Sequence, residues 1–116
     1  MSDRHLRALD RLSRVRGVKG SMYVAADDGL AVAQLLMEDV NGKALAAFAA
    51  SLARKVSGAA AATGAGRVRF VQMQSEGGVL LLAHGPRDLL VAVVADTGVN
   101  VGLARLEMMR ALEAGR

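Results

Sequence analysis

Residues 41–62 read NGKALAAFAASLARKVSGAAAA, and the organisation of the whole chain follows from this stretch. Ten of the residues between positions 44 and 62 are alanine, which has the highest helix propensity, so the stretch predicts a long α-helix. Asn41 precedes it and can cap its first turn by accepting a backbone N–H. Only Lys43, Arg54 and Lys55 are charged, and a helix with so small a polar face is usually covered on two sides.

The bulky residues of this helix recur at spacings of three and four, which places them on one stripe. They are Leu45, Phe48, Leu52 and Val56. We expect this stripe to pack on the domain's own sheet. The opposite side carries mostly alanine and serine, which permit close helix approach, so we expect it to meet a second copy of the chain.

Length and composition indicate one domain over residues 1–116. Hydrophobic residues make up 53% of the chain, enough for a core, and there is no cysteine for disulfides or thiolate metal ligands. The N-terminus is charged from the start, and no apolar run reaches the roughly 20 residues that cross a bilayer. We therefore expect a soluble, cytoplasmic protein with no membrane insertion.

The net charge of +4 is concentrated at the N-terminus. Residues 1–19 contain six basic and two acidic residues, a difference of +4, so the rest of the chain is neutral overall. Within a helix predicted over residues 2–16, Arg4, Arg7, Arg11 and Arg14 form a basic stripe opposite Leu6, Leu9 and Leu12. The stripe is interpreted either as a solvated face or as a dock for an acidic partner, a membrane surface or nucleic acid. The lack of interleaved aromatic residues counts against nucleic acid.

The remaining pattern predicts five short strands and a last helix over residues 101–114. The strands are predicted at residues 20–26, 30–36, 67–74, 79–84 and 89–95. The last two strands are apolar throughout, as in strands covered on both faces. Phe70 and Val71 break the alternation of the third strand, through a bulge or through burial on both faces. Leu103, Leu106, Met109 and Leu112 are predicted to form the apolar side of the last helix.

The predicted fold class is therefore α+β, in the order α-β-β-α-β-β-β-α. It consists of a five-stranded antiparallel sheet with the long central helix on one face and the terminal helices on the other.

No residue pattern indicates catalysis, a cofactor or a metal. The chain has two histidines, His5 and His84, without metal-ligand spacing, and we interpret the first as solvated and the second as a turn residue. Asp27 and Asp28 are a possible carboxylate pair, but next to Gly29 they are typical of a hairpin turn. We therefore predict no catalytic residue, no cofactor and no metal site, and interpret the domain as a binding or regulatory module.

Several short motifs occur in an order that resembles the roadblock/LC7 family, including its bacterial, MglB-like members. They are L-x-x-L-x-x-x-x-G-V at residues 9–18, D-G-L at residues 28–30, E-G-G at residues 76–78, L-L-V at residues 89–91 and N-x-G-L-x-R at residues 100–105. Together with the alanine-rich helix, the resemblance spans nearly the whole chain.

The resemblance implies a dimer, either of this chain or with a roadblock paralogue. In the family, two sheets join edge to edge through the strand after the long helix, and the two long helices pack together. Carried onto this sequence, the expected dimer interface comprises Leu45, Phe48, Ala49, Leu52, Arg67, Val68, Arg69 and Phe70.

The resemblance also implies a small Ras-like GTPase as partner, since bacterial family members regulate or accompany such GTPases. We expect this chain to bind one by surface complementarity, without supplying a catalytic residue. The expected platform comprises Ala47, Ser51, Arg54 and Lys55. The alternatives are a structural dimerisation adaptor in a motor- or kinase-containing complex, and, third, an enzyme or nucleic-acid binder.

Overall fold

The computed structural model describes residues 3–115, and its elements follow the predicted order. The helices are α1 (Asp3–Ser13), α2 (Gly42–Ala62) and α3 (Val101–Ala114). The strands are β1 (Val18–Ala25), β2 (Leu30–Leu36), β3 (Phe70–Ser75), β4 (Gly78–His84) and β5 (Leu89–Ala95), with a short 3₁₀ turn at Pro86–Asp88 before β5. Asn41 caps α2 and Asn100 caps α3, each accepting a backbone N–H at 3.0 Å.

The strands form one antiparallel sheet in the order β2-β1-β5-β4-β3. The first and last strands of the chain thus lie side by side near the centre, and β2 and β3 are the edges. The predicted fold class, with its five-stranded antiparallel sheet, is confirmed.

The two faces of the sheet build two separate apolar layers, because alternate residues of each strand point to opposite faces. Tyr23 and Val91 face α1 and α3, with Leu9 and Met108 among the helix residues that cover them. The neighbouring residues Met22 and Leu90 face α2. Burial on both faces explains why β4 and β5 are apolar throughout.

The prediction for the faces of α2 is wrong: the alanines, not the bulky stripe, pack on the sheet. Ala46, Ala49, Ala50 and Ala53 are at most 4% exposed, whereas Phe48 is 46% exposed. The large side chains of this layer come from the strands, and an alanine face lets the helix backbone approach them closely. The bulky stripe therefore lies on the flank of α2, about one residue (100°) around the helix from the alanine face.

The terminal helices also differ from their predicted faces and bounds. α1 ends at Ser13, and Leu6 is 43% exposed although Leu9 and Leu12 are buried. On α3 the predicted apolar residues Leu103 and Leu106 are exposed. The buried residues of α3 are Ala104, Glu107, Met108, Ala111 and Leu112. The preference for small or flexible side chains next to the sheet is thus common to α2 and α3.

The edge strands differ from the prediction at two points. β3 begins at Phe70, so residues 67–69 precede the strand, and its register against β4 is continuous. Phe70 packs in the α1/α3 layer and Val71 in the α2 layer, which identifies burial on both faces as the cause of the broken alternation. A bulge lies in β2 instead, where Val32 is the extra residue between the pairs Tyr23–Ala33 and Val24–Ala31, and Lys19 of β1 is a second extra residue, against β5.

Candidate partner-binding surfaces

An apolar groove runs along the flank of α2 that carries the bulky stripe. Because α2 packs over β2, β1 and β5, the same face of β3 is left partly uncovered beside it, with Val71 and Met73 half-buried. We call this the α2–β3 groove; it encloses about 290 Å³. Its lining residues are Leu45, Phe48, Met73, Ser75, Gly77, Gly78, Val79, Leu80 and Val94.

The walls of the α2–β3 groove are incompletely buried in the single chain. Phe48 is exposed, and Leu45, Leu52, Val71 and Met73 are half-buried while contacting the α2 layer of the core. A contiguous apolar surface of this kind marks an interaction site more often than a scattered exposed residue does.

The expected dimer-interface residues do not form one surface in the structure. Leu45, Phe48 and Leu52 lie on the groove side of α2. Ala49 is fully buried against the chain's own sheet, so its assignment to a dimer interface is wrong. Phe70 lies on the opposite face of β3, where the Arg105 guanidinium carbon is 4.6 Å from the centre of its ring.

Residues 67–69 belong to the segment that leads into β3. Arg69 is exposed, and its carbonyl accepts the backbone N–H of His84 at 2.9 Å, which extends the β3–β4 ladder by one pair. Arg67 and Val68 instead line a second concave surface.

The four residues of the expected partner platform do not all lie on one surface. Ala47, Ser51 and Lys55 lie on the side of α2 away from the sheet, with Ala47 and Lys55 exposed. Arg54 lies beside the alanine face, where its Nη1 donates a hydrogen bond to the Ala26 carbonyl at 3.3 Å. Arg54 therefore points to the β1–β2 turn rather than straight outward.

The second concave surface is a cleft of about 630 Å³ at one end of the sheet, which we call the turn cleft. Four segments far apart in sequence form it: the β1–β2 turn, the second half of α2, the α2–β3 loop and the β4–β5 turn. The lining residues are Ala26, Asp27, Ala53, Arg54, Ser57, Gly66, Arg67, Val68, His84, Gly85, Asp88 and Leu90.

Two carboxyl groups from different turns meet in the turn cleft. The Asp88 carbonyl accepts the Ala26 backbone N–H at 2.9 Å, which ties the two turns together. The charge of Asp88, and then a hydrogen bond between the two carboxyl groups, raises the pKa of Asp27 above its ordinary value. Arg87 and Asp88 both have φ of 58°, a left-handed conformation that non-glycine residues seldom adopt.

His84 ends β4 and lines the same cleft. Both of its ring nitrogens are buried and have no hydrogen-bond partner among the described residues. Burial lowers the pKa of His84 below its ordinary value of 6.5, which favours the neutral imidazole. Asp27 lies in the predicted turn, whereas His84 belongs to the end of β4 and is paired with Leu90, and the sequence did not bring the two together.

The basic stripe of α1 is a separate surface. Arg4, Arg7, Arg11 and Arg14 are all exposed, and Arg14 pairs with Asp10 at 3.0 Å. His5, predicted to be solvated, is half-buried, and its ring packs edge-on against Tyr23 with 4.8 Å between ring centres.

Residues 3–115 contain no group of three or more His, Cys, Asp or Glu side chains placed to hold a metal ion. None of the three helices is both long and apolar enough to cross a bilayer.

The family model described as "Roadblock/LC7 domain" matches residues 5–95. The chain belongs to this family. The match includes the turn cleft and the α2–β3 groove. Roadblock/LC7 domains are regulatory and adaptor domains associated with GTPases, so membership establishes this general class for the chain.

Sequence relatives come from the archaeon Methanocaldococcus jannaschii. The uncharacterized proteins MJ1340 and MJ0310 are 35% and 34% identical to this roadblock/LC7 chain over 107 residues, which is 92% of each protein.

Solved structures with the same fold come from bacteria. Myxococcus xanthus MglB has a TM-score of 0.85 at 18% identity, covering 97% of this chain and 91% of that one. A roadblock/LC7 domain from Streptomyces avermitilis has a TM-score of 0.84 at 20% identity, covering 93% and 91%. The likeness to MglB therefore concerns the fold, whereas the relatives in sequence are archaeal.

Proposed function

We propose that this roadblock/LC7 protein is a non-enzymatic, cytoplasmic, dimeric regulator or scaffold that binds a small Ras-like GTPase. The observation that carries the proposal is the α2–β3 groove: an apolar helix flank beside a partly uncovered edge strand. Support comes from the MglB-like fold and from a solved neighbour described as "MglB with tetrameric arrangement", with a TM-score of 0.84.

The first step of the proposal is dimerisation. The partly uncovered face of β3 belongs to an edge strand whose outer backbone groups have no strand partner in the described chain. A second copy related by a two-fold axis would extend the sheet through β3 and place its own α2 beside Phe48 and Leu52. Both chains would bury the same apolar flank, as an isologous interface requires.

The second step is the GTPase platform. Once the groove flank is covered, the outward side of α2 with Ala47, Ser51 and Lys55 remains accessible. Small side chains there allow a flat, close contact, and Lys55 adds a positive charge that suits an acidic, partly apolar partner surface. Arg54 would contribute from the rim, beside the turn cleft.

Dimerisation is tested with a matched pair of charge substitutions. Phe48→Asp places a carboxylate in the groove, whereas Leu106→Asp places one on α3 at nearly equal exposure, 48% against 46%. Light scattering coupled to gel filtration should give a dimer for the native chain and Leu106→Asp and a monomer for Phe48→Asp. A native monomer, or a Phe48→Asp dimer, would contradict the proposed interface.

GTPase binding is tested by affinity capture from a lysate of the source organism, loaded with GDP or a non-hydrolysable GTP analogue. Enrichment of a Ras-like GTPase in one nucleotide state is the expected result. The double variant Arg54→Glu, Lys55→Glu should lose that enrichment, and Arg7→Glu, Arg11→Glu on α1 should keep it.

The outcomes separate the competing interpretations. If only the α1 variant loses the GTPase, the site is the basic stripe. Capture of motor or kinase components without nucleotide dependence would replace the proposal with the structural adaptor. Capture of a second roadblock chain in place of the homodimer would assign the interface to a heterodimer. The fold of Myxococcus xanthus MglC (TM-score 0.64) is compatible with such a roadblock partner.

A further inference from the structure

The outward side of α1 and α3 is a surface that the proposed function leaves unused. Both helices pack on the sheet face opposite α2, with Leu9 and Met108 among the residues that they bury there. The two helices contact each other, so their outward sides form one surface, which we call the two-helix surface. Its exposed residues include Arg4, Leu6, Arg7, Arg11, Leu103 and Leu106.

The two-helix surface is basic because α1 carries more arginines than its acidic groups can neutralise. Residues 3–16 contain five arginines and two aspartates, a difference of +3, whereas α3 contains two arginines and two glutamates. The ion pairs within the two helices are Arg14–Asp10 and Arg110–Glu107. No ion pair among residues 3–115 includes Arg4, Arg7 or Arg11. These three arginines recur at spacings of three and four, so they form one row of uncompensated positive charge.

Exposed leucines lie on the same surface as this row. Leu6 and Leu103 are each 43% exposed, and Leu106 is 48% exposed. Guanidinium groups bind phosphate oxygens well, and apolar side chains beside them can enter the boundary between lipid headgroups and acyl chains. The combination of arginine and leucine is therefore complementary to the surface of an anionic bilayer.

The same two helices fit other anionic partners less well. Neither helix contains Phe, Tyr, Trp, Asn or Gln, so both lack the aromatic rings that stack on bases and the amides that bind adenine edges. Neither the α2–β3 groove nor the turn cleft is lined by residues of these helices. A folded acidic protein would therefore find no concavity here to provide shape complementarity, which a bilayer surface does not require.

We propose that the two-helix surface docks on anionic lipid membranes. The arginine row of α1 would lie at the lipid phosphates, and the exposed leucines of both helices would lie at the headgroup boundary. The contact is peripheral and reversible, and no segment of the chain crosses the bilayer. Because the charges are exposed, the binding should weaken as salt concentration rises.

Dimerisation would double this contact, a step that rests on the proposed function. A two-fold axis that pairs β3 with its copy in antiparallel fashion is perpendicular to the sheet, so each sheet face stays on its own side. Both two-helix surfaces would then lie on one side of the joined sheet, and both α2 helices on the other. The dimer would bind the membrane through two surfaces at once, while its GTPase platform remained accessible.

Membrane docking is tested by co-sedimentation of the full chain with vesicles of phosphatidylcholine, without or with phosphatidylglycerol. Only the vesicles that contain phosphatidylglycerol should bind the chain, and added salt should release it. The double variant Arg7→Gln, Arg11→Gln should bind about twentyfold more weakly, which is about fivefold for each arginine. The matched control Lys43→Gln, Arg67→Gln removes the same net charge from exposed residues outside the surface, and should change binding by less than about twofold.

The leucines are tested with the two aspartate variants of matched exposure. Leu106→Asp should keep the native oligomeric state and weaken vesicle binding about fivefold or more, because it replaces an apolar contact by a negative charge on the docking surface. Phe48→Asp adds the same charge on the opposite face of the sheet. If the proposed dimer forms, Phe48→Asp removes the second docking surface and weakens binding. If the native chain is a monomer, Phe48→Asp leaves binding unchanged, and membrane docking is judged from the arginine and Leu106 variants alone.

Three results would overturn the docking proposal. They are no binding to phosphatidylglycerol vesicles, equal binding to phosphatidylcholine alone, and equal losses for the arginine pair and its matched control. A short DNA duplex and poly-glutamate identify the competing partners. If either probe binds more tightly than the vesicles and loses its binding in Arg7→Gln, Arg11→Gln, the surface is assigned to nucleic acid or to an acidic protein instead. Circular dichroism of each variant confirms that it is folded.

Discussion

At the scale of single residues, two buried hydroxyl groups on β1 have opposite environments. Tyr23 donates its hydroxyl to the Ala111 carbonyl at 2.8 Å and thereby joins β1 to the last turns of α3. Burial raises the pKa of Tyr23, while Arg11 and Arg4 oppose that rise. Ser21 is also fully buried, but its Oγ has no partner within the described chain.

The two hydroxyls should therefore differ in their contribution to stability. Tyr23→Phe removes one of two hydrogen bonds that the Ala111 carbonyl accepts, the other coming from the Gly115 backbone N–H at 3.0 Å, and should lower the free energy of unfolding by about 0.5–1.5 kcal/mol. Ser21→Ala removes a buried, unsatisfied hydroxyl and should leave it unchanged or raise it by about 1 kcal/mol. Urea denaturation of both variants checks this; a Ser21→Ala loss equal to that of Tyr23→Phe would show that the Ser21 hydroxyl is bound.

His84 gives a pH dependence of known sign. Its pKa is lowered in the folded chain, so below pH 6.5 the unfolded chain binds a proton that the folded chain does not. The stabilisation by His84 is complete above that value and is lost as the pH falls from there toward the lowered pKa. Urea denaturation at about pH 7.5 and about pH 5.5 should show a larger loss for the native chain than for His84→Phe. Equal losses would show that His84 ionises as freely in the folded chain as in the unfolded one.

At the scale of elements, local sequence predicts where structure begins more reliably than what it faces. Asn41 identified the start of α2 because capping depends only on neighbouring residues. The facing of α2 depends on the volumes of strand residues that lie 24 to 44 positions away in the sequence, which helix periodicity does not include. Met22, Leu80 and Leu90 fill the layer between the sheet and α2. The alanine side of α2 therefore fits against the sheet, and the side with the bulky residues does not.

The facing of α2 predicts the effect of a larger side chain on each side of it. Ala49 is fully buried and Ala47 exposed, two positions apart on the same helix. Ala49→Leu should push α2 from the sheet and lower the free energy of unfolding by about 1–3 kcal/mol. Ala47→Leu should change it by less than about 0.5 kcal/mol. Thermal and urea denaturation measure both changes in stability. A larger loss for Ala47→Leu than for Ala49→Leu would show that the bulky stripe, not the alanine face, packs on the sheet.

At the scale of the whole molecule, the architecture was predictable and the candidate sites were not. Five strands, three helices and their order follow from turns and periodicity along the chain. The turn cleft depends on residues 26–27, 54–57, 66–68 and 84–88 meeting at one end of the sheet. Only the strand order β2-β1-β5-β4-β3 brings them together, and no local pattern encodes that order.

If the chain forms the proposed dimer, its thermal stability depends on the protein concentration. If folding and association through the α2–β3 groove are linked, the thermal midpoint of the native chain should rise with protein concentration. Phe48→Asp should abolish that rise, and Leu106→Asp should retain it. Differential scanning calorimetry over a hundredfold range of protein concentration measures the effect. Such a range corresponds to about 2.7 kcal/mol of linkage free energy. A concentration-independent native midpoint would contradict linked association.

The pairing of β1 with β5 has a consequence for biosynthesis. During translation, Val18–Ala25 emerges from the ribosome long before Leu89–Ala95, its central neighbour in the sheet. Until then the growing chain can pair only β1 with β2 and β3 with β4, and these two hairpins have no central strand to join them. The sheet can be completed only after β5 has been synthesised, so the apolar side chains of the two hairpins stay without their central strand until that point.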